Sequence, residues 1–475
     1  MELAQEKRDR LVTAHWFVEN IFTDQKDEVE AASTELLDHI YSINKPQRKH
    51  VSRHLPQVEI FILNALLANA FTDGVISVNK SSGFYSNKII TYRITVDLII
   101  NSLVKSKWLI QHPGYFGGIT GYLTRLELTN EFCSWLDSHN LDVPKTKIKK
   151  PSKCIVFKDE NKRVIDTPKH LKKEEELLAL NVSAINQYLE KNHIDLAVSN
   201  AELSIINSQM KDKSINDSTR ESYLFFGNKY LQRKFNNSRF DNGGRFYGGW
   251  WITIPKEWRK YITINGYPTV ELDYSGMHLQ MLYAKEGAEI TGDPYAIEGV
   301  CKDFRDVTKL IFVILFNAPS RNTALATIKN NPKIKLLRNN KYPKGIRNFD
   351  EYLKLIEKNY SIISKYFYTG YGVNLQFHDS TIIEKVMLRM IKEYDAVTLP
   401  IHDSLITQCQ YGSELKSCME DEFKVLTGGS CKVIPKITAE YCIDRLKSLK
   451  ENYVMRIKNA GLKLDPIKVL RDKYK

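Results

Sequence analysis

Two short β-favouring runs, each carrying an aspartate where the strand gives way to a turn, constrain this chain more than any other feature. Val270-Glu271-Leu272 leads into Asp273-Tyr274-Ser275-Gly276, and Met277 to Ala284 behind it reads as the start of a helix. The second run, Val397 to Ile406, sets apolar residues around His402-Asp403-Ser404 and predicts a β-hairpin. A strand holds a carboxylate rigidly while the adjoining loop admits a ligand. Two such carboxylates, with a basic helix between them in sequence, predict a two-metal site for phosphoryl transfer.

The rest of the chain is read around that pair. At 475 residues there is length for two or three domains, and 43% hydrophobic with 26% charged residues describes an ordinary globular protein. No apolar run approaches a membrane span and MELAQEKRDR lacks a signal core, so a cytoplasmic location is expected. The seven cysteines form no CxxC pair, which argues against zinc and disulfide frameworks. A net charge of +13, with 25 Tyr and 20 Phe able to stack on bases, points to a polyanionic partner.

Residues 1–50 read as amphipathic helix through Leu11, Trp16, Ile21, Leu36 and Ile40. Val58 to Ala70 is an apolar helix. Thr95 to Trp108 is another, followed by a hairpin with glycines at 114, 117, 118 and 121. Helix then glycine-tipped hairpin reads as a winged-helix module, in which Lys105, Lys107 and Arg125 would meet phosphates. Residues 144–153 are a predicted linker, Ile155 to Phe157 a strand, and Lys169 to Lys191 and Asp195 to Met210 helices forming a thumb-like region. Residues 211–219 read as a mobile loop. The predicted domains are therefore 1–143, 144–222 and 223–475.

From Tyr223 the chain turns aromatic and basic, reaching Asp241-Asn242-Gly243-Gly244-Arg245. The glycines would let backbone approach a ligand, and Arg245 offers a planar charge for phosphate. Arg305 and Lys309 are four apart on a predicted helix and share a face, with Phe312 and Phe316 near it. Residues 320–348 hold eight cations and no acid before Asp350, a surface for backbone contact or a solvated loop. Leu375 to Tyr394 is a helix containing Phe377-His378-Asp379-Ser380, a second copy of the His-Asp-Ser triplet. Its helical surroundings make Asp403 the better metal ligand and leave Asp379 as a helix residue near the site at best. Glu414 to Thr427 is a helix, Cys431 to Tyr441 an edge strand, and residues 443–475 a basic helical tail.

With these residues laid out, the second half, roughly Phe240 to Tyr441, resembles the palm and fingers of family A DNA polymerases and of their relatives, the phage-type single-subunit RNA polymerases. Gly243-Gly244-Arg245 with Ile254-Pro255 and Arg259, then Asp273-Tyr274-Ser275, then Arg305-x-x-x-Lys309, then His402-Asp403-Ser404 follow the family's motif order. The resemblance implies an α+β fold: a right-hand polymerase palm of antiparallel sheet with helical fingers, preceded by the mainly helical, winged-helix-containing region. It implies a nucleotidyltransferase extending a 3′-hydroxyl with two Mg²⁺ ions, Mn²⁺ able to substitute. Asp273, Asp403 and the Tyr274 carbonyl would be the ligands. Arg305 and Lys309 would grip the triphosphate, Lys309 would protonate pyrophosphate, Arg245 and Arg259 would meet the duplex, and His402 the primer-terminal phosphate.

Two positions depart from the family pattern. His278 stands where the DNA polymerases carry a glutamate that excludes the 2′-hydroxyl, and is read as the sugar gate. Phe316-Asn317-Ala318 replaces the Tyr-Gly or Phe-Gly that closes the second motif, so Phe316 and Asn317 are the candidates for the nucleotide's base and sugar. The 32 residues from Asp273 to Arg305, the bulky His278 and the lack of an exonuclease motif favour a compact DNA polymerase without proofreading. It would act on a DNA primer–template and nucleoside triphosphates. The alternatives are an RNA polymerase or primase, with RNA as the polymer, and a winged-helix DNA-binding regulator with a relic palm.

Overall fold

The computed structural model describes residues 11, 13–45, 48–86, 88–116, 121–148, 153–216, 222–338 and 342–438. The predicted glycine tip at 117 and 118, the end of the linker at 149–152, the end of the mobile loop at 217–219 and the tail at 443–475 lie outside them. The chain forms two compact units from alternating stretches. One takes Met1–Ser152, Val198–Tyr230 and Gly249–Arg259; the other takes Lys153–Ala197, Leu231–Gly248 and Lys260–Lys475. The first crossing lies between residues 152 and 153. Residues 144–222, expected as one region, are divided between the units.

In the first unit, helix Lys26–Ile43 buries Val29, Leu36, Leu37 and Ile40 along one stripe. It packs on Val51–Phe71, which is buried nearly all round from Val58 to Ala68 and is therefore central. The residues from 15 to 23, predicted helical, instead form short strands His15–Trp16 and Ile21–Thr23. The cause is tertiary: Asn64 on the central helix bonds His15 Nε2 at 2.9 Å, accepts from the Val18 amide at 2.7 Å and donates to the Val18 carbonyl at 2.9 Å. Residues 146–148 of the predicted linker are likewise a strand, paired with Ile21–Thr23. Helical segments Arg93–Ile100 and Asn101–Lys105 precede strand Leu109–His112, which pairs antiparallel with Thr124–Leu128. Helix and hairpin thus occur in the expected order.

His15 is enclosed between Asn64 and the Tyr223 hydroxyl, 2.8 Å from Nδ1. Burial pushes its imidazole from 6.5 down to about 4, the Asn64 bond opposing. Protonation therefore favours the unfolded chain: the His15 contribution is complete above about pH 6.5 and drains away as pH falls towards 4. The unfolding free energy from urea titrations should fall by up to about 3 kcal/mol across that window, and His15→Gln should flatten this part of the profile.

The second unit carries an antiparallel sheet in the order Ile194–Leu196, Ile262–Ile264, Tyr267–Tyr274, Ser404–Gln408, Thr398–Ile401, with Val433–Ile437 pairing to the last half of Tyr267–Tyr274. A helix is expected from Asp195, but Ile194–Leu196 is a strand; the helix begins at Asn200 and continues into the predicted loop as far as Asn216. A second sheet orders Val164–Ile165, Ile155–Lys158, Gln232–Phe235 and Gly243–Tyr247. The long helix Gly372–Tyr394 packs against Gly243–Tyr247 and against helices Lys172–Lys191 and Gly412–Thr427. The first part of the basic stretch after residue 320 forms helices Arg321–Asn330 and Pro332–Arg338, while residues 342–348 are irregular; Arg321 pairs with Asp350 at 2.6 Å and Glu357 at 2.9 Å. The described cysteines are free thiols. No described helix is long and apolar enough to cross a membrane.

Candidate active site

Alternation along Tyr267–Tyr274 decides what the strand presents. Leu272 and Tyr274 turn to the buried face, where the Tyr274 hydroxyl donates to the Met419 carbonyl at 2.6 Å. Glu271 and Asp273 share the opposite face. Asp273 lies across from Ser404 in register, so Asp403, one residue earlier, stands beside it at the tip of a two-residue hairpin turn. The turn's other residue, His402, has φ +57° and is exposed. Gly276 follows with φ +68°; a Cβ there would come within 2.6 Å of Pro294, so glycine allows the Asp293-Pro294-Tyr295 turn to close over the strand end.

Burial first, and then the Asp403 carboxylate, raise the Asp273 carboxyl above its ordinary range; Lys436 and Lys309 act against them. Lys436 Nζ is 3.1 Å from Asp273 Oδ2 and 3.4 Å from Glu271 Oε1. Burial would lower the Lys436 ammonium, but Asp273 and Glu271 hold it above its ordinary range. Ser404 Oγ donates to Glu271 at 2.9 Å. Asp273 Oδ1 is buried with no hydrogen-bond partner. Sequence reading missed Lys436; its place on the adjoining edge strand, opposite two acids spaced i, i+2, is the signal that could have found it.

Lys309 exerts its charge on Asp273, whereas Arg305 is engaged by another acid. Both lie on helix Arg305–Asn317, and their charges sit 5.7 Å and 5.3 Å from the Tyr295 ring centroid. Arg305 is already held by Asp293, at 2.5 Å and 3.0 Å. Lys309 has no ion pair among the described residues, and its charge reaches Asp273. Tyr295 was not foreseen, since a tyrosine in a turn carries no signal of its own. Burial and then the Asp403 charge raise its hydroxyl well above the ordinary tyrosine range. Phe316 is a correction: 3% exposed and packed on Phe312 and Phe367, it belongs to the core and offers no face to a base. Asn317 is exposed, donates to the Val313 carbonyl at 2.7 Å and lies against Gly372.

Asp379, read as a helix residue near the site at best, lies on the long helix Gly372–Tyr394 and has partners that its sequence surroundings do not name. Its side chain is fully buried, accepts from Arg245 Nε at 3.1 Å and from Arg245 Nη2, and meets His278 Nε2 at 2.8 Å. Burial opposes its ionisation, but His278 and Arg245 outweigh that and hold the carboxyl below its ordinary range. The Asp403 charge also acts on Arg245, after Asp379. Arg245 is thus engaged by Asp379 rather than presented to a duplex. The glycines before it serve packing rather than ligand approach: Gly244 has φ +79°, and a Cβ there would meet Phe235 at 2.8 Å, Arg233 at 3.0 Å and Ser380 at 3.1 Å. Fully buried Arg233 ties this strand to the long helix through the Gly244 carbonyl, Ser380 and Glu384.

The four cations predicted to contact nucleic acid outside this site belong to the other unit. Arg125 is a correction: 2% exposed, it donates to the Leu11 carbonyl and Ser77 Oγ and cannot meet a phosphate. Arg259 is half-buried and donates to the Ile252 carbonyl at 3.3 Å. Lys105 and Lys107 are exposed.

Among the described residues no group of three or more His, Cys, Asp or Glu could by itself hold a metal. Two carboxylates, one with an orphaned buried oxygen, suit Mg²⁺ in the manner in which that ion binds together with a substrate's phosphates and water. They do not suit a closed structural site. The Tyr274 phenol, buried and bonded to Met419, is no ligand; only its backbone carbonyl could serve.

No protein-family model and no curated protein matches the chain. Among solved structures it is similar to the polymerase domain of Pol1 from M. smegmatis in complex with DNA primer-template and dNTP. The identity is 12% and the TM-score 0.31, over 92% of this chain and 69% of that one. A TM-score of that size carries no argument about function, so the case rests on the chain's own side chains.

Proposed function

We propose that this chain is a template-directed nucleic-acid polymerase, a nucleotidyltransferase of the family A kind that extends a DNA primer with deoxynucleotides. The observation that carries the reading is Asp273 at a strand end beside Asp403 at a hairpin tip, with the charge of Lys309 acting on Asp273. Asp273, Asp403 and the Tyr274 carbonyl would hold Mg²⁺, which when bound neutralises the triphosphate and favours the ionised 3′-hydroxyl.

The chain's own groups account for the rest. Lys309 meets the triphosphate and is placed to give a proton to departing pyrophosphate. Arg305 joins it by exchanging Asp293 for phosphate oxygens, a trade between two anions of similar geometry. Tyr295, under both cations, takes the stacking role that buried Phe316 cannot. His402, exposed on the hairpin tip, contacts the primer-terminal phosphate. His278, fixed through Asp379, stands at the sugar.

Extension of a labelled primer on a DNA template, with dNTPs and rNTPs offered separately and a primer-free lane, tests the reading. The expected result is templated dNTP addition in Mg²⁺ or Mn²⁺, with His278→Ala raising rNTP use about tenfold. Ribonucleotide products without primer would move the chain to RNA synthesis. Absence of product in every lane would remove the polymerase reading and favour a DNA-binding regulator.

A further inference from the structure

The first unit contains a cavity of about 570 Å³ that the polymerase reading does not use. It opens between the segment leading into helix Val51–Phe71 and the start of the Arg93–Ile100 helical segment. Arg48, His50, Arg53 and Arg93 line it, with Asp97 as the one carboxylate in its wall. The three arginines are exposed and have no side-chain hydrogen bond or ion pair among the described residues. Lys49 adds a further cation over the neighbouring Tyr41 ring, 5.3 Å from its centroid.

Like charges gathered around a concavity repel one another, and exposed arginines ordinarily avoid this by spreading or by pairing with acids. These three do neither. The cavity's inner wall is ordered: His54 is buried and meets the Tyr41 hydroxyl at 2.8 Å, and Ile94 and Leu98 are 5% and 8% exposed. Burial first, and then neighbouring charges that include Arg53 and Arg93, hold the His54 imidazole below its ordinary range. A guanidinium fork matches phosphate oxygens two at a time, and three forks against one carboxylate leave a surplus of positive charge for a dianion. The volume lies in the range of pockets that enclose a small organic ligand, with room for more than a bare phosphate.

We propose that this cavity is a binding site for a terminal phosphate, carried either by a free nucleotide or by the 5′ end of a nucleic-acid strand. The site is independent of the carboxylate pair in the other unit, and its test is run in EDTA so that the two are read apart.

The experiment uses the full chain at low salt with four probes. Two are 3′-labelled single-stranded oligonucleotides, identical except for a 5′-phosphate or a 5′-hydroxyl, followed by fluorescence anisotropy. The other two are ATP and inorganic triphosphate, followed by calorimetry. Wild type is compared with the double variant Arg53→Gln/Arg93→Gln, with Asp97→Asn, and with Lys26→Gln/Lys213→Gln, two exposed lysines of the same unit away from the cavity, as a control for general charge. Expected is a loss of at least tenfold in the double variant and a gain of two- to threefold in Asp97→Asn. A preference for the 5′-phosphorylated strand identifies a strand end; equal oligonucleotide binding with retained ATP and triphosphate binding identifies a free nucleotide. No binding of any probe, or a loss no larger than the lysine control gives, overturns the site. Should the double variant fail to fold, an Asp97→Asn affinity equal to wild type overturns it as well.

Discussion

Asp273→Asn and Asp403→Asn should each lower nucleotide incorporation by about 10³-fold, roughly 4 kcal/mol of transition-state stabilisation, while the melting temperature stays close to wild type. The two halves of this expectation come from one arrangement. Each carboxylate is half of the negative charge available to a divalent cation, and neutralising either halves it. Asp273 gains little stability from its own ionisation, because burial and the Asp403 charge oppose it while Lys436 and Lys309 favour it. Removing that charge therefore exchanges an ion pair for relief of repulsion, with a net change of about 1 kcal/mol or less. Single-turnover primer extension and thermal unfolding on the same preparations provide the check. Activity within tenfold of wild type in a folded variant would place the chemistry elsewhere.

Asp379→Ala should behave in the opposite way, losing stability first and activity as a consequence. It is expected to cost about 4 kcal/mol, because it strands the Arg245 guanidinium, only 18% exposed, without its anion and removes the bond that orients His278. The pH dependence follows from the lowered carboxyl. Ionised Asp379 stabilises the fold in full above its unfolded value, about 4, and that stability is lost as pH falls through the lower folded value. The variant should therefore lack the Asp379 share of the acid limb expected of wild type below about pH 4. Urea unfolding at pH 7 and at pH 3 measures both effects. Asp379→Asn, which keeps the shape and one hydrogen bond to His278, should recover part of the stability and of the activity. If Asp379→Ala unfolds at the same urea concentration as wild type, the triad is not what holds Arg245 and His278.

What could be read from the residues alone was whatever depends on near neighbours in the chain. The Asp273 strand and the helix after it, the hairpin around Asp403, the shared face of Arg305 and Lys309, and the helices read at 169–191, 375–394 and 414–427 all follow, within a few residues at their ends, from periodicity and turn chemistry. The misreadings arose where a distant partner overrode local preference. Asn64 draws residues 15–18 into extended chain although their apolar spacing suits a helix. Phe316 has the spacing of a ligand-facing aromatic, but Phe312 and Phe367 close over it.

The sequence by itself determined which acids stand at strand ends and which cations share a helix face, because backbone geometry converts spacing into direction. Only the tertiary structure decided which of those charges remain available. Asp379 and Arg245 are separated by 134 residues, Asp379 and His278 by 101, and Lys436 lies 163 residues from Asp273. Whether a guanidinium meets a phosphate or a buried carboxylate depends on which helix packs over which sheet. That choice is set by burial of apolar surface across the whole unit, to which no short stretch of sequence holds the answer.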